Sequence, residues 1–170
     1  RAVRLTEQAN GTYTFVMPAS DATVEAVFQI RPAFTDVPSG SYYEDAVLWA
    51  VGEGITTGTS AQAFAPDGSC TRAQAVTFLW RAAGSPAPVS AKTRFADVAA
   101  SSYYSDAVLW AVENGITNGT SDTTFSPDAV CTRAQIVAFL WRAKGSPAAG
   151  SGTRFADVAE TAYYADAVLW

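Results

Sequence analysis

Residues Phe34 to Gln74 realign on Phe95 to Gln135 without a gap, 61 positions further on: FTDVPSGSYYEDAVLWAVGEGITTGTSAQAFAPDGSCTRAQ against FADVAASSYYSDAVLWAVENGITNGTSDTTFSPDAVCTRAQ. A third start, FADVAETAYYADAVLW, runs from Phe155 to Trp170. A chain of this kind folds as a series of units that bury their apolar faces against one another. The expected units are 34–86, 95–147 and the opening of a third at 155–170, whose remainder is expected beyond Trp170.

Within a unit the pattern predicts two short helices and a loop. YYEDAVLWAVGEG places Ala46, Val47, Ala50 and Val51 on one face at helical spacing, with Glu44 and Asp45 at the favourable N-terminal end. That helix is expected from Tyr43 to Glu53, with Gly54 and Gly115 as C-terminal caps. ITTGTS and ITNGTS read as loops leading to Phe64 and Phe125. Thr71 with Gln74, and Thr132 with Gln135, form a Thr-x-x-Gln capping box that opens the second helix. Gly84 to Pro86 and Gly145 to Pro147 close it. Residues 1–30 differ: GTYTFVMP and ATVEAVFQI alternate apolar and polar as half-buried strands do, with ASD between them. They are expected to be the last strands of a β-domain that begins upstream.

Hydrophobic residues make up 49% of the chain, ample for a core, and only 16% are charged, with a net charge of -5. Two lysines, Lys92 and Lys144, and scattered arginines form no basic stripe, which excludes a generic nucleic-acid binder. With no histidine and two cysteines far apart in sequence, no metal site and no cofactor are expected. Cys70 and Cys131 occupy matching places and read as buried thiols in preference to a disulfide between repeats. No apolar run has the length of a membrane helix, and the first residues lack the apolar core of a signal peptide.

Arg72 and Arg133 stand at the first turn of the second helices, where the dipole is already positive and an acidic residue would be favoured. Spacing alone leaves two readings open. A guanidinium beside free helix N–H groups makes a fork for a carboxylate; an internal salt bridge to an aspartate such as Asp36 or Asp97 is the other. Trp49, Trp80, Trp110 and Trp141, at helical spacing, read mainly as packing. Asp67, Asp122 and Asp128 lack the spacing of a calcium loop. Arg81 and Arg142 suit helix C-termini without further purpose.

Phe-x-Asp-Val, a short helix, Gly-Ile-x-x-Gly, Phe-x-Pro-Asp and Thr-Arg-Ala-Gln, in that order from Phe34 onward, resemble the S-layer homology domain. The resemblance implies a mainly α fold, in which repeats of two short helices and a loop surround a central helical bundle, here preceded by a short β segment. It also implies non-covalent attachment to secondary cell-wall polysaccharide, often pyruvylated, in grooves between repeats, at an extracellular surface. Other surface-layer proteins are then further partners. Arg72 and Arg133 match the arginine that the family uses for the carboxylate; Asp36, Asp97 and Asp157 match the Phe-x-Asp-Val aspartate. Gly58 and Gly119 match the second loop glycine. Tyr42, Tyr103 and Tyr163 stand where the family usually has Trp, and Gln74 and Gln135 where it usually has Glu. The strands of 1–30 resemble the edge of an internalin-type β-repeat.

Three functions compete at this stage: a glycan-binding wall anchor, a purely structural or self-assembling surface module, and a glycoside hydrolase with a carboxylate pair such as Asp36 and Asp45. Repeating an acid/base site in every unit is unusual, whereas repeating a binding site gains avidity, so the anchor is preferred and no enzyme activity is expected.

Overall fold

The computed structural model of the chain describes residues 6–7, 13–16, 19, 34–152 and 155–170. Contacts divide the chain into two units, Arg1–Ile30 and Arg31–Trp170. In the first, β1 (Thr6–Glu7) pairs antiparallel with β2 (Tyr13–Thr14), Thr6 opposite Thr14 and Glu7 opposite Tyr13. Tyr13–Thr14 lies inside the stretch expected as a strand and pairs upstream with Thr6–Glu7; the expected second strand, Ala22 to Ile30, lies outside the described residues.

The second unit holds five helices among the described residues: α1 (Glu44–Gly52), α2 (Arg72–Ala82), α3 (Ser105–Glu113), α4 (Arg133–Ala143) and α5 (Ala165–Leu169). The α2 and α4 capping boxes form as the sequence requires. Thr71 Oγ1 accepts from Gln74 N–H at 3.3 Å while Gln74 Oε1 accepts from Thr71 N–H at 2.8 Å, and Thr132 with Gln135 repeats this at 3.2 and 3.0 Å. At the end of α1, Gly54 turns to φ +69°. There Gly54 N–H donates to Val51 and Ile55 N–H to Ala50, the two bonds that satisfy the last carbonyls of a helix. Trp80 and Trp141 donate from Nε1 to the carbonyls of Pro86 and Pro147, each at 2.8 Å, and so fasten the chain that leaves each second helix.

Helix-on-helix packing runs mainly across the sequence repeat. The second helix of one repeat lies mainly against the first helix of the next, α2 on α3 and α4 on α5, and α2 also meets α4. The core accordingly draws Ala73, Ala75 and Val76 from α2, Ala107, Val108 and Ala111 from α3, Ile116 and Phe125 from the loop that follows, and Phe139 from α4. This offset explains why one sequence has two environments. Ala107, Val108 and Ala111 are fully buried beneath α2. In α1, which has no such helix over it among the described residues, Val47 alone is buried; Ala46 is exposed, against expectation, and so is Trp49, at 61%.

Candidate functional site

Each full repeat folds its loop onto its own Phe-x-Asp-Val turn. The Asp36 carboxylate accepts from the N–H of Phe64 at 2.9 Å and of Ala65 at 2.7 Å; Asp97 does the same to Phe125 at 2.9 Å and Ser126 at 2.7 Å. These bonds hold Ala65 and Ser126 in the left-handed region, at φ +61° and +58°, which an L-residue adopts only when its surroundings impose it. The Phe64 and Ala65 amides hold the Asp36 carboxyl below the usual range. For Asp97, burial pushes the pKa up but the Phe125 and Ser126 amides outweigh it, and the net shift is downward. The loop glycines close the same structure. Gly58 and Gly119 have φ of +79° and +85°, and a Cβ on either would stand 2.7 Å or less from the ring of Phe34 or Phe95. Asp36, Asp97, Gly58 and Gly119 therefore shape the loop.

The two arginines occupy different surroundings. Arg72 is 4% exposed. It leaves the start of α2 for the second repeat, where Nε donates to the Phe125 carbonyl at 2.9 Å and Nη2 to Thr117 Oγ1 at 3.4 Å, with the guanidinium 4.9 Å from the Phe125 ring centre and 5.5 Å from that of Phe139. Backbone bonds run beside it, Arg72 N–H to the Ala129 carbonyl at 2.9 Å and Ala73 N–H to that of Pro127 at 3.0 Å. The internal partners of Arg72 are thus a carbonyl and a hydroxyl, with Asp97 acting on it through space. Arg133, at the matching place on α4, is exposed; positions in register with Thr117 and Phe125 for it would fall after Trp170.

On the first repeat, no helix start occupies the equivalent space among the described residues. Thr56 and Phe64, the counterparts of Thr117 and Phe125, line an open groove of about 420 Å³ with Gly58, Gln74 and Arg81, and Tyr103 reaches it from the second repeat. Tyr103 is 61% exposed and stacks edge-on against Tyr104 at 5.0 Å; Tyr42 with Tyr43 and Tyr163 with Tyr164 repeat that geometry. Tyr42 and Tyr163 are also exposed, as is Asp157. Arg81, read from sequence as a helix-end cation, donates from Nη1 to the Ile55 carbonyl at 3.2 Å and borders the groove; Arg142 does likewise to Ile116. Sequence reasoning missed the groove positions of Arg81, Thr56 and Gln74. The available signal was the recurrence of ITTGT as ITNGT and of Gln74 as Gln135 one repeat later, without any indication that they face each other.

Among the described residues no group of histidine, cysteine and acidic side chains could hold a metal ion, and no helix is long and apolar enough to cross a membrane. A sequence model of the S-layer homology domain matches residues 33–76 and 94–137. The chain is similar to the surface-layer 125 kDa protein of Lysinibacillus sphaericus, at 32% identity over 128 residues, 75% of this chain and 11% of that protein. It also resembles a cell surface protein of Thermoanaerobacter kivui, 31% identical over 122 residues (69% and 16%), and the S-layer protein EA1 of Bacillus anthracis, 29% over 131 residues (76% and 15%). The chain spans less than a fifth of the length of each of these relatives.

Proposed function

Because the chain belongs to the S-layer homology domain family, we propose that it is a cell-surface anchoring module that holds an acidic, pyruvate-bearing secondary cell-wall polysaccharide without a covalent bond. The observation that carries this reading is the groove between the first two repeats. It has hydroxyl and amide groups on its walls, the Arg81 cation at its side and the exposed ring of Tyr103 at its rim. Sugars are recognised by such a combination: polar groups for the hydroxyls and an aromatic face for the apolar side of the ring. The exposed guanidinium of Arg133, next to the capped start of α4, supplies a second point for a carboxylate. Weak sites repeated along a polymer reinforce one another.

The burial of Arg72 favours a second reading for that residue, in which it ties two repeats together and the sugar contacts fall to Arg133, the groove and the tyrosines Tyr42, Tyr103 and Tyr163. In the same proposal Phe155 to Trp170 opens a third repeat, and residues 1–30 are the edge of an internalin-type β-repeat that joins the anchor to its cargo. Calorimetry with a short wall oligosaccharide, with and without its pyruvate group, tests the function. Equal binding to both removes the acidic substituent from the proposal, no binding to either removes the glycan, and release of reducing sugar would make the chain an enzyme.

A further inference from the structure

We propose that Cys70 and Cys131 form a disulfide that joins the first two repeats of the folded chain. Although 61 positions apart, the two residues face each other across the backbone bridge between repeats. Thr71 pairs antiparallel with Val130, and on one side of that pair Cys131 N–H donates to the Cys70 carbonyl at 3.0 Å. On the other side Arg72 N–H donates to the Ala129 carbonyl at 2.9 Å, so the bridge is held at both ends. The Cys131-to-Cys70 bond is one of the two that residues opposed at a hydrogen-bonded position of an antiparallel pair exchange, and such residues have α-carbons about 5.5 Å apart. Disulfides span about 4.4–6.8 Å between α-carbons. Both cysteines are half-buried free thiols in the reduced chain.

The chemistry is a thiol–disulfide exchange with a small-molecule disulfide, or the disulfide of an extracellular thiol oxidoreductase, as oxidant. One cysteine thiolate attacks a sulfur of the oxidant and expels a thiolate. The second cysteine thiolate then attacks the protein-side sulfur of the mixed disulfide and expels the other. The two protein thiols lose two protons and two electrons, one S–S bond forms, and the oxidant is reduced to two thiols. A cell-surface location lies outside the reducing cytosol. Burial raises the pKa of both thiols, with Arg72 acting in the opposite sense on Cys131, so closure accelerates as the pH rises. The link would fix the start of α2, and Arg72 with it, on the loop of the second repeat, beside the groove that Cys70 lines.

The test is a redox titration of the 170-residue chain in mixtures of reduced and oxidised glutathione, in native buffer and in urea, read by intact mass and peptide mapping. The expected product has lost two hydrogens and yields a peptide pair joining Cys70 to Cys131. Its closure constant should be at least about tenfold higher in the native chain than in urea, because a fold that opposes the two thiols favours the link as much as the link favours the fold. Cys131→Ser should give only a glutathione adduct at Cys70. A native chain that stays a dithiol, carries glutathione adducts alone, cross-links between molecules, or closes no better than the unfolded chain overturns the proposal.

Discussion

Asp97 and Arg72 grip one residue from its two ends: the Asp97 carboxylate accepts the Phe125 N–H at 2.9 Å, and Arg72 Nε donates to the Phe125 carbonyl at 2.9 Å. Asp97 belongs to the same repeat as Phe125 and shapes its loop, whereas Arg72 comes from the repeat before. A loop fixed by its own aspartate thus becomes the socket for the preceding helix. The second repeat cannot lose its loop geometry without releasing α2.

Arg72→Ala should therefore act on stability. It removes a charge-assisted bond and leaves a buried carbonyl unpaired, a loss of about 2–4 kcal/mol. Arg133→Ala, at an exposed site, should change stability by no more than about 0.5 kcal/mol. Urea unfolding of both variants measures the contrast, and equal midpoints would show that Arg72 is not a tie between repeats.

Acid should loosen both loops. The carboxyls of Asp36 and Asp97 titrate below their ordinary values in the folded chain, for the backbone reasons given above. A depressed folded pKa contributes stability that is present above the unfolded value of about 3.9 and is lost as the pH falls through the folded value. The urea midpoint should hold steady from neutrality to about pH 5 and fall below about pH 4. With Asp36→Asn and Asp97→Asn together, the chain should start less stable and lose less in that window. An unchanged acid slope would assign the loss to other carboxylates.

Much of this was legible in the repeat. The helix boundaries followed from Thr71, Gln74 and Gly54, because caps are local: each needs only residues three or four positions away. What sequence could not supply was the partner of each helix. Ala46 and Ala107 are the same letter in the same motif, yet one is exposed and the other fully buried, since burial is decided by the helix that crosses over. The position of Arg72 was legible and its direction was not. A guanidinium at a helix start suits a ligand carboxylate and a neighbouring carbonyl equally, and only the bridge of Thr71 to Val130 sets Phe125 within its reach.

The loop glycines separate two kinds of cost. Gly119→Ala must adopt φ +85° and place a Cβ 2.5 Å from both the Phe95 ring and the Thr124 carbonyl, a carbonyl held by the Thr120 amide. Strain and overlap together should cost about 3 kcal/mol or more. Gly115→Ala meets the strain alone, at φ +66° in open space, and should cost about 1 kcal/mol. Thermal unfolding of the two variants distinguishes them. A Gly119→Ala chain as stable as Gly115→Ala would mean that Phe95 moves aside at little cost.

The tyrosines test where the sugar sits. Tyr103 projects from the head of α3 over the groove of the first repeat, while its neighbour Tyr104 packs against the core, so Tyr103→Ala should spare the fold and remove the stacking face. Loss of one aromatic contact weakens binding by about 1 kcal/mol, roughly fivefold. Tyr103→Phe keeps the ring and should bind nearly as the parent does, unless the hydroxyl is itself a contact. Tyr42 is 98% exposed and does not line this groove, so Tyr42→Ala should matter less. Calorimetry with the acidic wall oligosaccharide ranks the three variants. If Tyr103→Ala binds at parental strength while the groove-lining change Arg81→Gln does too, the groove is not the seat, and the glycan contact must be sought around the exposed Arg133 and Tyr163.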